Sequence, residues 1–280
     1  MAEPIFEVSG ASYAYLGRFP ALVDVDLTVH AGERLALVGA NGCGKSTLLK
    51  LLDGLVFPDV GTFQAFGQDV TEAVLEDEQF SEGFRSRVGF VFQSSDAQVF
   101  SPTVREELAF GPLNLGLDRD EAAQRVDDVL ALLEITELAD RAPFQLSGGQ
   151  KKRVAIGSVL TMNPSVLLFD EPTAALDPRT QQWLVELLGE LSGAGKAIVF
   201  ATHDLSLLPV VADRCVVFGE DHRVAGAGEA QEVLDDIDLL RRVNLVHQHA
   251  HRHDDLWHVH EHTAGHHDEV DHDEVDRTTG

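Results

Sequence analysis

Residues 39–47 read Gly39-Ala40-Asn41-Gly42-Cys43-Gly44-Lys45-Ser46-Thr47, and this stretch decides the fold. It matches the pattern G-x-x-x-x-G-K-[ST], in which glycines let the backbone fold around an anion so that several N–H groups point inward. The apolar run 35–38 precedes it and a helical pattern starts at Lys45, which is the context that this motif requires. The stretch therefore predicts a phosphate-binding loop between a buried strand and a helix N-terminus.

Each position of this loop has an expected role in holding a nucleotide. The Lys45 ammonium is expected to reach the β- and γ-phosphates, and the Ser46 hydroxyl is expected to ligate Mg²⁺. The other residues expected to line the nucleotide are Gly39, Asn41, Gly42, Gly44 and Thr47. A Gly-rich turn with a chance lysine is the alternative, and the flanking strand and helix argue against it.

A second segment, residues 166–171, supplies carboxylates. Four apolar residues predict a buried strand, and Asp170 and Glu171 follow at its C-terminal end, where α/β sheets bind ligands. Asp170 can hold Mg²⁺, and Glu171 can polarise an attacking water molecule as a general base. Many strands end in Asp-Glu, but a position about 120 residues after a phosphate loop favours the second half of a nucleotide site.

Strand-like and helix-like segments alternate along the chain, which is typical of an α/β fold with a parallel sheet. The predicted strands are residues 5–8, 22–29, 34–38, 88–92, 166–169, 197–201 and 214–218. The predicted helices are residues 45–52, 120–135, 147–160 and 180–191. Residues 94–163 are rich in helical pattern and are expected to form a lobe within a body that spans residues 1–244.

The composition excludes several classes of function. The chain has 280 residues, with 21 Lys and Arg against 47 Asp and Glu, a formal net charge of −26. Such a charge repels phosphate backbones and anionic lipid surfaces, so we expect no nucleic-acid partner and no direct membrane docking. Two cysteines make no disulfide scaffold, and neither a signal peptide nor an apolar run long enough to span a bilayer is evident.

Residues 245–280 differ from the body in composition. They hold ten of the 13 histidines with nine acids and two arginines, a net charge of −7 that leaves −19 on the body. Few apolar residues and no lasting period predict a flexible His/Asp/Glu-rich tail. The alternating histidines are His247, His249, His251, His253, His258, His260 and His262. Because imidazole suits transition metals, these are candidate ligands for Ni²⁺, Co²⁺ or Zn²⁺; a solvated acidic tail without a metal role is the alternative.

Residues 146–150 read Leu146-Ser147-Gly148-Gly149-Gln150, and with the two motifs above they make residues 4–228 resemble the ATPase subunits of ATP-binding cassette (ABC) transporters. The resemblance implies a P-loop NTPase of ABC type, with a RecA-like α/β core, an antiparallel β subdomain and a helical lobe. It implies that Tyr15 stacks on adenine, with Tyr13 as a competitor, and that Gln93 senses Mg²⁺ during catalysis. It also implies that His203 contacts the γ-phosphate.

The signature segment implies a mechanism that one subunit cannot complete. Ser147, Gly148, Gly149 and Gln150 open a helix, and a helix N-terminus attracts anions. In the family this end of the helix faces the γ-phosphate held by a second subunit, so two ATP molecules are sandwiched in a head-to-tail dimer. Asp177 is similar to the loop that crosses to that partner. Ala175 stands where the branch described next more often has Gly, and we expect Ala to be tolerated unless the loop needs positive φ.

Residues 92–112, FQSSDAQVFSPTVREELAFGP, resemble the energy-coupling-factor (ECF) branch of importers, which includes cobalt and nickel importers. In that branch the surface after the glutamine docks coupling helices of a membrane subunit; packing of the helical lobe is the alternative. The resemblance implies three partners: a second ATPase subunit in a homo- or heterodimer, a transmembrane coupling subunit and a substrate-capture subunit.

The resulting hypothesis is an ATPase peripheral to the cytoplasmic face of the membrane that hydrolyses ATP, with Mg²⁺, to energise import of Co²⁺ or Ni²⁺. An ECF-type vitamin importer is the alternative within the branch. A soluble ABC ATPase without a transport role is the alternative of another class. The helical lobe of about 70 residues lacks the long insertions of DNA-repair relatives, and the chain has one ATPase unit where translation-factor relatives usually have two.

Overall fold

The computed structural model describes residues 3–253 and 256–263, with side chains described for residues 3–246. The strands are β1 Pro4–Tyr15, β2 Phe19–His30, β3 Arg34–Val38, β4 Val60–Ala65, β5 Gln68–Asp69, β6 Val88–Val91, β7 Val166–Asp170, β8 Ala197–Thr202, β9 Arg214–Phe218, β10 Val224–Glu229, β11 Val246–His253 and β12 Leu256–Thr263. The helices are α1 Lys45–Leu52, α2 Glu72–Leu75, α3 Glu78–Arg87, α4 Ser95–Gln98, α5 Val104–Asn114, α6 Arg119–Leu132, α7 Gly148–Leu160, α8 Pro178–Gly193, α9 Leu208–Val211, α10 Ala230–Asp235 and α11 Ile237–Arg242. Within these described ranges, no helix has the length and apolar character needed to span a membrane.

A six-stranded sheet in the order β10-β9-β3-β8-β7-β6 forms the centre of the fold. Five of its strands are parallel, and β10 pairs antiparallel with β9 at the edge. Side chains alternate between the faces of β3, since Leu35 and Leu37 join one apolar cluster whereas Ala36 and Val38 join another. Because both faces are buried, these strands read in the sequence as continuous apolar runs.

The two apolar clusters connect the central sheet to different elements. One cluster extends to the antiparallel sheet β2-β1-β4-β5, where the rings of Phe6 and Phe63 have centroids 5.7 Å apart. The other extends to α5, α6 and α7 through Leu108, Leu130 and Ile156. The α/β fold with an antiparallel β subdomain and a helix-rich segment is therefore confirmed.

Four neighbouring strands bring the predicted motif residues to one edge of the central sheet. β3, β8, β7 and β6 are parallel neighbours, so their C-terminal ends lie side by side. β3 leads into the 39–47 loop, β7 ends at Asp170, β8 leads into His203, and β6 leads into Gln93. Since open α/β sheets bind ligands at the carboxyl ends of their strands, a nucleotide site is expected at this edge.

Regular structure continues into the histidine-rich part of the chain. Leu245 and Val246, after α11, are buried in the apolar cluster of the helical side, and β11 then pairs antiparallel with β12. The sequence predicted no regular structure here. The alternating histidines were interpreted as metal ligands on a flexible tail, but a period of two is also the period of a strand. Residues 264–280 lie outside the described residues, and the division of the chain at 244/245 stays a prediction.

Candidate nucleotide site

Tight backbone geometry shapes the loop of residues 39–47. Gly44 precedes α1 with φ of +116°, a conformation that favours glycine. A Cβ at this position would overlap the carbonyl oxygen of Ala21 in β2, so a larger residue would displace the loop. The chain thus turns sharply from β3 into α1. The N–H groups at the start of α1 have no carbonyl partners within the helix, which suits them to bind an anion.

The Lys45 side chain folds back over this loop. It is 5% exposed, and Nζ donates hydrogen bonds to the carbonyl oxygens of Gly39 at 2.7 Å and Ala40 at 3.1 Å. Nζ also lies 3.7 Å from Glu171 Oε1. A cation held by two neutral carbonyls can transfer to phosphate oxygens, because charged acceptors form the stronger hydrogen bonds.

Ser46 and Asp170 form a pair of oxygen ligands beside the loop. Ser46 Oγ donates a hydrogen bond to Asp170 Oδ1 at 2.8 Å, and Asp170 is buried at the end of β7. Mg²⁺ prefers oxygen ligands and is bound through one or two carboxylates together with substrate phosphates and water. The residues present therefore fit the magnesium ion that the sequence predicted here.

Glu171 follows β7 in a left-handed backbone conformation, with φ of +44°. Its Oε2 lies 3.0 Å from His203 Nδ1. Its Oε1 is buried and has no hydrogen-bond partner within the described residues, with the Lys45 ammonium as its nearest charged neighbour. A buried carboxylate oxygen without a donor is costly, and strained backbone is typical of functional sites. This oxygen is available to accept a hydrogen bond from a water molecule.

Tyr15 and Tyr13 differ in accessibility. Tyr15 is 37% exposed at the end of β1, and its hydroxyl lies 3.3 Å from Thr47 Oγ1 in the phosphate loop. Tyr13 packs against the apolar cluster beneath the antiparallel sheet, and burial raises the pKa of its hydroxyl. The two rings meet edge to face with centroids 5.0 Å apart. Tyr15 is thus the ring that the fold leaves open beside the loop.

The predicted signature residues begin α7. Ser147 Oγ accepts a hydrogen bond from the Gln150 N–H at 3.3 Å, and the Ser147 N–H donates to Gln150 Oε1 at 3.0 Å. This reciprocal cap leaves the N–H groups of Gly148 and Gly149 without helical partners. In the part of the chain that the structure describes, the hydrogen bonds of Ser147 and Gln150 do not reach the phosphate loop. Ser147 and Gln150 instead bond to each other at the start of α7.

Comparison with known proteins agrees with this geometry. A model of the ABC transporter family matches residues 22–174, which include the phosphate loop, the signature segment and the carboxylate pair. The chain belongs to the ABC transporter family. As a member, it is an ATP-binding ATPase subunit of ABC type, coupled to transport and using Mg²⁺.

Named relatives refine this membership. The nickel import ATP-binding protein NikO of Rhodobacter capsulatus is 50% identical over 246 residues, which cover 87% of this chain and 96% of that protein. The energy-coupling factor transporter ATP-binding protein EcfA of Methanothermobacter thermautotrophicus is 41% identical, covering 86% and 76%. The solved structure of cbiO1 from Clostridium perfringens, part of the ABC transporter complex cbiONQ, aligns with a TM-score of 0.75 at 36% identity, covering 87% and 95%.

The loop before α8 bears on the expectation that Ala175 is tolerated unless the loop needs positive φ. Asp177 is the N-cap of α8, and hydrogen bonds donated by Thr180 hold the pKa of its carboxyl below the usual range. Ala175 has φ of +59°, so the loop does need the positive φ that would make Ala unfavourable. The substitution is therefore tolerated at a cost in backbone strain.

Lys152 is a residue that the sequence reasoning missed. It is 3% exposed on α7, and Nζ donates hydrogen bonds to the carbonyl oxygens of Phe92 at 3.2 Å and Gln93 at 3.5 Å. Burial lowers the pKa of this amine to about 8, against the opposing influence of the Asp170 charge. The signal was present in the sequence, since a lysine falls on the buried stripe of a predicted helix and so requires an internal partner.

Two further contacts tie the glutamine segment to α7. Gln98 Oε1 accepts a hydrogen bond from the Phe92 N–H at 3.0 Å, and Gln98 Nε2 donates to the Ala155 carbonyl oxygen at 2.9 Å. Lys151 pairs with Asp96 at 2.6 Å on the surface. We call these contacts, with those of Lys152, the glutamine latch. The latch joins the segment that carries Gln93 to the helix that begins with the signature residues.

The histidines proposed as transition-metal ligands, His247, His249, His251, His253, His258, His260 and His262, have side chains outside those that the structure describes. Their backbone forms β11 and β12. Across the described side chains of residues 3–246, no group of three or more His, Cys, Asp or Glu residues could hold a metal ion.

Proposed function

We propose that this ABC ATPase hydrolyses ATP as half of a head-to-tail dimer and that the hydrolysis powers import of Ni²⁺ or Co²⁺. The observation that carries the ATPase part is the buried carboxylate of Glu171, held between His203 and Lys45 at the mouth of the phosphate loop. The cargo is argued separately, from the comparisons and from the composition of the chain.

Binding of ATP uses groups that already lie at the strand ends. The phosphates accept hydrogen bonds from backbone N–H groups of the loop, those of Gly39, Asn41, Gly42, Gly44 and Thr47. Lys45 then donates to phosphate oxygens in place of the loop carbonyls. Tyr15 stacks on the adenine ring. Ser46, Asp170 and Gln93 would hold Mg²⁺, which would neutralise charge on the phosphate oxygens.

Hydrolysis is an in-line displacement at the γ-phosphorus. Glu171 Oε1, which has no hydrogen-bond donor in the described structure, accepts a hydrogen bond from the attacking water and takes its proton as the new oxygen–phosphorus bond forms. The bond between the γ-phosphorus and the bridging oxygen breaks, and ADP leaves with that electron pair. His203, 3.0 Å from Glu171 Oε2, fixes the carboxylate and presents its other ring nitrogen to the γ-phosphate.

A second copy, or a related ATPase subunit, completes the site. The N–H groups of Gly148 and Gly149 at the start of α7 have no helical carbonyl partner, and we assign them, with Ser147 and Gln150 beside them, to the γ-phosphate on the opposite subunit. Asp177 caps α8 on the loop that we assign to the same interface. ATP bridges the two subunits, so removal of the γ-phosphate opens the dimer.

The surface after Gln93 is the site that we assign to a membrane subunit. Phe100 is 67% exposed and Phe110 is 50% exposed, and their rings meet edge to face with centroids 5.1 Å apart. Two large aromatic side chains exposed together are typical of a protein interface. Because the glutamine latch connects this segment to α7, pressure from the membrane subunit would reach the signature residues.

The choice of nickel or cobalt as cargo rests on relatedness and on the histidines. The 50% identical relative is named for nickel import, and ten histidines lie in residues 245–280. An ECF-type vitamin importer is the second candidate, favoured by the 41% identical relative named for the energy-coupling factor. A soluble ABC ATPase without transport has no such relative among the comparisons described above.

Glu171→Gln tests the proposal because it removes the carboxylate charge and keeps the shape. A general base contributes roughly 10²–10⁴-fold, so turnover should fall by at least about a hundredfold while ATP binding persists and the dimer accumulates. Glu190→Gln, an exposed residue of α8 with the same change in charge, is the matched control and should keep wild-type turnover. Unchanged turnover of Glu171→Gln would exclude Glu171 as the base.

The cargo is tested by purification from membranes with the partner subunits, followed by uptake into vesicles. The wild type and Glu190→Gln should drive ATP-dependent uptake of Ni²⁺ or Co²⁺, and Glu171→Gln should not. ATP-dependent uptake of a vitamin instead would replace the metal cargo. Recovery of the ATPase without any membrane subunit would favour the non-transport alternative.

A further inference from the structure

The histidine-rich strands have a register that groups their histidines. β11 and β12 pair antiparallel, and three histidines of one strand lie directly opposite three histidines of the other. The facing pairs are His247 with His262, His249 with His260, and His251 with His258. Because these positions alternate along each strand, all six residues belong to one face of the hairpin.

The other face of the same hairpin has a different composition. Its facing pairs are Gln248 with Glu261, Ala250 with Val259, and Arg252 with Trp257. The six histidines of the three facing pairs thus lie on one face of the hairpin. The acidic, basic and apolar residues at the intervening positions lie on the other face.

We propose that this face of the hairpin, the histidine face, binds a late first-row divalent metal ion through the His249–His260 pair and one neighbouring pair. Imidazole is a preferred ligand of nickel, copper and zinc, whereas Mg²⁺ and Ca²⁺ require oxygen ligands. The inference rests on the proposed function only in selecting Ni²⁺ or Co²⁺ as the probe, since the ligand set would hold these ions whatever the importer carries.

Strand geometry fixes which pairs can share an ion. Facing residues of antiparallel strands have Cα atoms about 4.5–5.5 Å apart. Neighbouring pairs on one face are about 7 Å apart, from a rise of about 3.4 Å per residue. Two neighbouring pairs therefore place four histidine positions close enough together to share one ion. The two outer pairs are about 14 Å apart and cannot.

A variant with the same amino-acid composition distinguishes this proposal from metal chelation by a flexible chain. Gln248→His with His249→Gln, combined with His260→Glu and Glu261→His, moves the central pair to the opposite face. Because Gln248 faces Glu261, the moved imidazoles still oppose one another. The number of histidines and the net charge are unchanged, but the histidine face keeps only its two outer pairs and His253, which faces Leu256.

The experiment is calorimetric titration of the full chain with Ni²⁺ and with Co²⁺, without nucleotide. The fourfold variant should bind the tightest ion at least about tenfold more weakly, because the central pair of histidines leaves the histidine face. His266→Gln with His267→Gln removes two histidines outside the described residues and should leave that affinity unchanged. Equal affinity of the fourfold variant and the wild type would overturn the proposal, as would an equal loss in the His266/His267 variant.

Failure of the hairpin proposal is distinguishable from failure of the proposed function. ATPase turnover of the fourfold variant should equal that of the wild type, which also reports that the body is folded. If Ni²⁺ uptake proceeds but the register rearrangement leaves metal affinity unchanged, only the hairpin proposal fails. If the rearrangement weakens metal binding as expected but vesicles take up no metal, the hairpin proposal stands and the cargo is wrong.

Discussion

Replacing Lys152 by methionine removes the ammonium of the glutamine latch and keeps most of the side-chain volume. The carbonyl oxygens of Phe92 and Gln93 then lose a donor now 3.2 and 3.5 Å away. The segment that carries Gln93 stays joined to α7 through Gln98 and through the exposed Lys151–Asp96 pair. The variant therefore loosens the glutamine segment without unfolding the helix.

The size of the effect follows from two opposing contributions at Lys152. Hydrogen bonds from a charged donor contribute about 1.5–3 kcal/mol. Burial of the ammonium works against this, as the lowering of its pKa to about 8 indicates. The net loss in unfolding free energy should be about 1–2 kcal/mol, a fall in Tm of about 2–8 °C for a domain of this size. Turnover should fall by about tenfold or more, because small misplacements of catalytic groups are costly.

Lys151→Met is the matched control, since it removes a neighbouring lysine whose partner Asp96 is exposed. Exposed ion pairs contribute about 0–1 kcal/mol, so its Tm and turnover should stay close to those of the wild type. Thermal unfolding and steady-state ATPase assays measure both quantities. If Lys152→Met matched Lys151→Met in both, the inference that Lys152 positions the glutamine segment would be refuted.

Two changes elsewhere test the backbone and the pH dependence of stability. Ala175→Gly should raise the unfolding free energy by up to about 1 kcal/mol, because a left-handed alanine costs about 1–2 kcal/mol and glycine returns part of that as entropy; a lower Tm would contradict the φ of +59°. Burial raises the pKa of Asp53, at the end of α1, to about 7, so its protonated form favours folding and that contribution is lost as pH rises through 7. Asp53→Asn should therefore stabilise the chain by about 1–2 kcal/mol at pH 8 and not at pH 4, as urea unfolding at both values would measure; equal effects at both pH values would exclude this titration.

The strongest local signals predicted much of this molecule. The helix expected over residues 45–52 is α1 with the same bounds, because the glycine turn and the leucine spacing specify both its start and its apolar face. The strands that end at Val38, Asp170 and Thr202 were predicted to within a residue at their C-terminal ends, since strands buried on both faces leave apolar runs. Their placement side by side follows from the parallel topology.

The features that escaped prediction depend on contacts between distant segments. Lys152 could be recognised as buried only from the stripe of α7, and its partners lie about 60 residues away. The positive φ of Ala175 depends on the path from β7 to α8, which the local sequence does not encode. β11 and β12 escaped because a strand is usually recognised by apolar residues at every second position, and here histidine occupies those positions.

The helix that begins with the signature residues also bears on how an acidic chain attracts an acidic ligand. α7 and α1 have no acidic residue in their first turns, whereas α5, α6 and α10 each do. An acidic residue in the first turn stabilises a helix. Because α1 and α7 lack one, each is locally less stable at the N-terminus that we assign to phosphate. The acidic side chains of this chain, whose net charge is −26, therefore lie farther from a bound triphosphate. Over such distances salt screens their repulsion of the phosphates. The acidity of the chain and its affinity for nucleotide can vary independently while these two helix starts carry no acidic side chain.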